Sequence, residues 1–152
     1  MPLSFNSGER FATGAVRYLL TRRNPTHLTT EVEIAGHKTE AILDTGAPYL
    51  ICSPELSEQL SLDPADALQS LEILIRGARI GGGLHRVELI LLATAGASLS
   101  IEATAFVPDA RLNFGVNHPS FIGYIGCLER LRFAIDPQTE RFYFGRLSST
   151  LR

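Results

Sequence analysis

The sequence predicts an all-β fold carrying one or two short helices, and three observations lead there. Short segments such as Thr29 to Ile34 and Ser98 to Val107 alternate in the strand period. Clusters of Gly, Pro, Asn and Asp punctuate them at regular spacing. Helix signals are few and short: after Ser53, at Asp63-Pro64 and around Leu128. Many short strands with few helices argue for a closed or sandwiched arrangement. At 152 residues the chain is expected to form a single domain over residues 1–152.

Residues 1 to 14 are mixed and Gly/Ser-rich, and are expected to form a loose N-terminal arm. Val16 to Leu20 suits a short strand, and Asn24-Pro25 favours a break. Thr30, Val32 and Ile34 then share one face of a strand. Ala35 to Lys38 reads as a hairpin turn, and the chain returns through Thr39 to Leu43. Tyr49 to Cys52 is a short apolar strand. Ser53 is placed to cap a helix with Pro54 at its first position and Glu55 in its first turn, ending near Leu60. Asp63-Pro64-Ala65-Asp66 repeats the start signal over a single turn.

Leu71 to Ile75 and Val87 to Leu92 are strands. Between them Gly77, Gly81, Gly82 and Gly83 read as a flexible, mobile hairpin tip. The run does not fit GxGxxG and no Lys-Ser/Thr follows, so it is no phosphate loop. Ser98 to Val107 is a further strand stopped by Pro108, and residues 111 to 120 are irregular with a turn at Asn117-His118-Pro119. Phe121-Ile122 is an apolar pair before Gly123. Tyr124 to Arg132 suits a short helix with Ile125, Leu128 and Leu131 on one face. Phe133 to Ile135 and Arg141 to Phe144 make a closing hairpin around Asp136 to Thr139.

Composition is that of an ordinary globular chain, 45% hydrophobic and 20% charged. A net charge of −2 supplies no electrostatic reason for binding nucleic acid or an anionic membrane. Cys52 and Cys127 with four scattered histidines match no metal-site spacing, so neither metal nor cofactor is expected, and the thiols read as buried and reduced. No basic stretch precedes an apolar one at the N-terminus, and no apolar run approaches the ~18 residues of a membrane span. A cytoplasmic location is the expectation.

The stretch that stands out is Ala41-Ile42-Leu43-Asp44-Thr45-Gly46-Ala47. Asp is depleted in strands and rarely buried without partners, yet here it ends an apolar run. Thr45-Gly46 suits a tight turn whose N–H groups can point back at the carboxylate. Taken alone, a bare Asp-Thr-Gly reads more readily as a strand ending in an Asx turn.

Ile42 to Ala47 resembles the catalytic motif of retropepsin-like aspartic proteases. Phe121-Ile122-Gly123, followed by Cys127 to Asp136, resembles the apolar strand, helix and final hairpin of that family, and the glycine-rich hairpin stands where the family has its flap. The likeness runs from Thr29 to Gly145, nearer to the cellular and bacterial members than to the viral ones. It implies a closed single-lobed β-barrel and an aspartic endopeptidase that cleaves peptides or proteins as a homodimer, one Asp-Thr-Gly per subunit. It assigns Asp44 as the catalytic acid/base and Thr45, Gly46 and Ala47 as its support. Gly77, Ile80, Gly81, Gly82 and Gly83 become the flap, and Ile122 and Gly123 pack under the catalytic turn. Viral members carry an acidic residue and an Arg where this chain has Pro48 and Tyr124, which alters the expected interface. The alternatives are a catalytically silent peptide- or protein-binding domain of the same fold, and an unrelated small barrel in which Asp44 merely caps a turn.

Overall fold

The computed structural model describes residues 3–4, 7–21, 24–109 and 119–148. Of the expected irregular segment 111–120, residues 111–118 lie outside them and Ser120 begins a strand.

Twelve strands and one α-helix make up the described chain. In order they are β1 (Gly14–Arg17), β2 (Leu19–Thr21), β3 (Asn24–Ile34), β4 (His37–Leu43), β5 (Leu50–Ile51) and α1 (Pro54–Leu60). There follow β6 (Gln69–Ile75), β7 (Ala78–Leu91), β8 (Ala95–Gly96), β9 (Leu99–Pro108), β10 (Ser120–Ile122), β11 (Leu131–Asp136) and β12 (Arg141–Arg146). The larger sheet runs β2-β3-β4-β10-β5-β9-β7-β6, and β3 also pairs with β7. A smaller sheet runs β11-β12-β1-β8.

Local chemistry accounts for the turns. The β3–β4 hairpin closes on two residues, Ala35 and Gly36, both at positive φ (47° and 84°). That is the primed turn geometry whose twist matches the strands. Arg76 and Gly77 (50° and 82°) do the same between β6 and β7. Ser53 caps α1 by accepting from the Leu56 N–H at 3.1 Å, with Pro54 at the first helical position. Asp63 likewise caps a single 3-10 turn, Pro64–Asp66.

Two expectations are corrected here. The glycine run is not a flexible tip: only Gly77 lies in the turn, while Ile80 to Gly83 are inside β7 and paired with β6. Gly82 and Gly83 also pair with Pro108 and Val107 of β9. A Cβ on Gly82 would lie 2.5 Å from the Val107 carbonyl oxygen and 2.7 Å from the Phe106 ring, so this glycine is there for close contact. The helix expected over Tyr124 to Arg132 is a set of turns ending in a 3-10 segment, Leu128–Arg130. Gly126 stands at φ +67° in the middle of it, and its N–H donates to the Glu129 carboxylate at 2.7 Å. Ile125 consequently faces solvent while Leu128 and Leu131 are buried.

The N-terminal segment is tied down where it is described. Phe11 and Ala12 N–H groups donate to the Leu3 carbonyl, and Thr13 N–H donates to Phe144. Arg132 pairs with Glu9 at 3.3 Å and stacks over Phe11. The described part of the expected loose arm is thus anchored on β11 and β12.

The main core joins Val32, Ile34, Leu50, Leu89, Leu91, Ile122, Phe142 and Phe144, all essentially inaccessible. Phe142 and Phe144 rings lie 5.6 Å apart in a tilted pair. A second cluster gathers Ile42, Ile51, Ile73, Ile75, Ile80, Leu84, Phe106 and Phe121, with Ala47, Tyr49 and Leu71 at its margin. This cluster brings the β6–β7 hairpin against the end of β4, where the motif sits.

Candidate active site

Asp44 follows the last residue of β4, and the insertion of β10 decides where it points. β10 runs parallel to β4, with Phe121 beside Ile42 and Ile122 beside Leu43, and antiparallel to β5. The Asp44 N–H donates to the Ile122 carbonyl at 3.0 Å, extending that ladder by one bond. The chain then turns: Ala47 N–H donates to the Asp44 carbonyl at 3.1 Å, and Gly46 N–H donates to the Asp44 Oδ1 at 2.9 Å. One carboxylate oxygen is therefore held by a main-chain donor. Asp44 itself is half-buried, while Thr45 and Gly46 are exposed and Ala47 half-buried.

Gly123 locks this turn from beneath. Its N–H donates to the Tyr49 carbonyl and the next N–H, of Tyr124, donates to the Ala47 carbonyl, both at 2.8 Å. A Cβ on Gly123 would lie 2.1 Å from the Tyr49 oxygen and 2.6 Å from the Ala47 oxygen. Only a hydrogen fits there. Ile122 is fully buried on the core side. Residues 44–49 and 120–124 thus form one rigid unit, which joins Asp44, Ala47, Ile122 and Gly123 of the expected site.

The hairpin residues are placed differently from one another. Ile80 packs in the apolar cluster with Ile42 and Phe121, whereas Gly77 marks the exposed turn and Gly81 to Gly83 lie along β7. Ile73 and Ile75 join Ile80 on that face, which the strand alternation of Leu71 to Ile75 already contained. Tyr49, expected to begin a strand through Cys52, instead precedes β5: it stands at φ +60°, uncommon for an aromatic residue, and borders the same cluster. No sequence pattern marks it.

Among the described residues no group of three or more His, Cys, Asp or Glu could hold a metal ion. Cys52 and Cys127 are buried and unbonded; burial pushes both thiols up to about 12, with a further upward push on Cys52 from Cys127. Such thiols are poor nucleophiles. Asp44 is the half-buried carboxylate that this turn presents.

The fold is shared with solved structures. The structure is similar to a retropepsin-like aspartic protease from Rickettsia conorii, at 18% identity and a TM-score of 0.59, covering 88% of this chain and 94% of that one. No curated protein matches the chain. Among the described residues no helix is long and apolar enough to cross a membrane. The family model described as aspartyl protease matches residues 30–107, which take in the Asp44 turn, α1 and the β6–β7 hairpin. By that match over half its length, the chain belongs to the aspartyl protease family.

Proposed function

We propose that the protein is an aspartic endopeptidase that hydrolyses peptide bonds as a homodimer, with Asp44 of each subunit forming the catalytic pair. The observation that carries this reading is the rigid presentation of a single half-buried carboxylate on a turn locked by Gly123. One carboxylate is chemically insufficient. Peptide hydrolysis by activated water needs a base for the water and an acid for the carbonyl oxygen at the same time. Two Asp44 side chains a few ångströms apart supply both, because like charges so close cannot both ionise and one proton is shared, as is known of aspartic-protease dyads. The apparent pKa values then belong to the pair.

The other residues take roles in this scheme. Gly46 N–H holds one Asp44 oxygen and so fixes the carboxylate plane. Thr45, exposed at the turn, supports the pair across the two-fold axis, and Ala47 lines the cleft. The β6–β7 hairpin covers bound peptide, with Ile73, Ile75 and Ile80 excluding water from the reacting atoms. The cycle of pairings β3-β4-β10-β5-β9-β7-β3 serves as a closed barrel that keeps the turn from yielding.

Asp44→Asn tests the reading. The amide keeps the size of the carboxylate and an oxygen for the Gly46 N–H, but removes the base and the shared proton. Cleavage of a fluorogenic peptide library, scanned from acid to neutral pH, should fall by roughly three or more orders of magnitude. Wild-type specific activity should rise with protein concentration through the dimer dissociation constant. Undiminished cleavage by Asp44→Asn, or concentration-independent cleavage by a monomer, refutes it.

A further inference from the structure

β7 has two faces, and the second is unaccounted for by the catalytic scheme. Ile80 and Leu84 point into the apolar cluster, so Gly81, Gly83 and His85 look the other way. There, bounded by the α1 segment and the end of β9, lies a cavity of about 660 Å³. Its size is in the usual range for ligand pockets. Asp44 does not line it.

The strand registers lay out its walls. Glu72 of β6 pairs with Gly81, and on the opposite side the Asp109 N–H donates to the Gly81 carbonyl at 3.0 Å. Two exposed carboxylates therefore flank a floor whose side chains are hydrogens, two strand spacings (about 10 Å) apart. Neither has an ion-pair or side-chain hydrogen-bond partner among the described residues.

His85 closes the inner end. It is only 7% exposed, and among the described residues neither ring nitrogen has a hydrogen bond. The ring leans along the strand over Gly83, where an added Cβ would sit 3.3 Å from Nε2. Buried polar groups are normally satisfied, so an unpartnered imidazole lining a roomy cavity points to something it meets there. Leu62 and Pro64 supply an apolar border.

From this we infer a second binding site, on the far face of the β6–β7 hairpin, for an arginine side chain carried by a peptide. The charge is complementary: among the described residues two unpaired carboxylates face the trough and no Lys or Arg lines it. Guanidinium suits the acceptors better than ammonium, since its fixed fork of N–H donors can reach a carboxylate and an imidazole nitrogen together. The aliphatic stem packs on Leu62 and Pro64. Because the hairpin that lines this site also covers the catalytic cleft in the proposed mechanism, arginine binding bears on the posture of that hairpin.

The test reads binding rather than cleavage, so its failure is separable from failure of the protease reading. Asp44→Asn protein is titrated with a blocked pentapeptide bearing a central arginine between leucines, and with the same peptide carrying citrulline. Affinity comes from anisotropy of a labelled peptide, and location from NMR shifts of the His85 ring and the Gly83 amide. The expected result is saturable arginine-peptide binding that moves both signals. Citrulline, or the double change Glu72→Gln with Asp109→Asn, weakens it at least tenfold. Both replaced residues are exposed, so a thermal melt like that of the parent shows the fold to be retained. Equal affinity for citrulline, shifts confined to residues 44–49, or no binding up to millimolar peptide overturns the proposal.

Discussion

Replacing Gly123 by alanine should be among the most damaging single changes in the molecule, although it adds one methyl group. The new carbon would stand 2.1 Å from the Tyr49 oxygen, 2.6 Å from the Ala47 oxygen and 2.8 Å from the Pro48 carbonyl carbon. All three are main-chain atoms, so no side chain can swing aside. Relief requires the 47–49 segment to retreat by roughly 1 Å, taking with it the Gly123 N–H bond to Tyr49 and the Tyr124 N–H bond to Ala47. Two such bonds at about 1 kcal/mol each, with an overpacking cost of about 2 kcal/mol, give a loss of about 4 kcal/mol. For a domain of this size that lowers Tm by roughly 8–16 °C. Urea denaturation with an unchanged slope would measure the loss directly. The surviving folded fraction should also be nearly inactive, because the Asp44 turn moves with residues 47–49. A Gly123→Ala protein melting within about 2 °C of wild type would refute the steric argument.

Two other changes follow from the same geometry. Ser53→Ala removes the acceptor for the Leu56 N–H at the start of α1 and should cost about 1 kcal/mol in urea unfolding, with Ser53→Asp recovering most of it. The thiols of Cys52 and Cys127, raised by burial to about 12 in the folded protein from 9.0, stay protonated when folded, whereas in the unfolded chain they ionise above pH 9. Their contribution to stability is therefore complete below about pH 9 and is lost as pH rises toward 12, so alkaline melts should fall in this window. At pH 8 a thiol reagent should label neither cysteine faster than the protein unfolds, and rapid labelling of native protein would contradict their burial.

Much of the site was legible because local chemistry sets it. Asp44 at the end of an apolar run, Ser53-Pro54-Glu55 before α1, and Asp63 before its single turn each carry their signal within a few residues. The glycine run was misplaced for a physical reason. A glycine needed for positive φ, such as Gly77, looks in sequence like Gly82, needed only because Phe106 and the Val107 carbonyl come too close. The stripe of Ile125, Leu128 and Leu131 suggested a helix, but Gly126 at positive φ interrupts it. Long-range pairings left no trace at all. Nothing local to Gly14–Arg17 says that it lies between β12 and β8, or that Ser120–Ile122 will slot in between β4 and β5.

That last insertion has a consequence for when the protein becomes competent. Phe121 and Ile122 sit in ladder with Ile42 and Leu43 on one side and Leu50 and Ile51 on the other, across a gap of some seventy residues of intervening chain. During synthesis, β3 and β4 can pair as soon as they emerge, since only Ala35 and Gly36 separate them. The Asp44 turn must wait for the chain through Tyr124, and closing so long a loop is slow compared with hairpin formation. A nascent or prematurely ended chain therefore carries the aspartate without the clamp that aims it. The geometry of the proposed catalytic turn arrives late, after most of the molecule already exists.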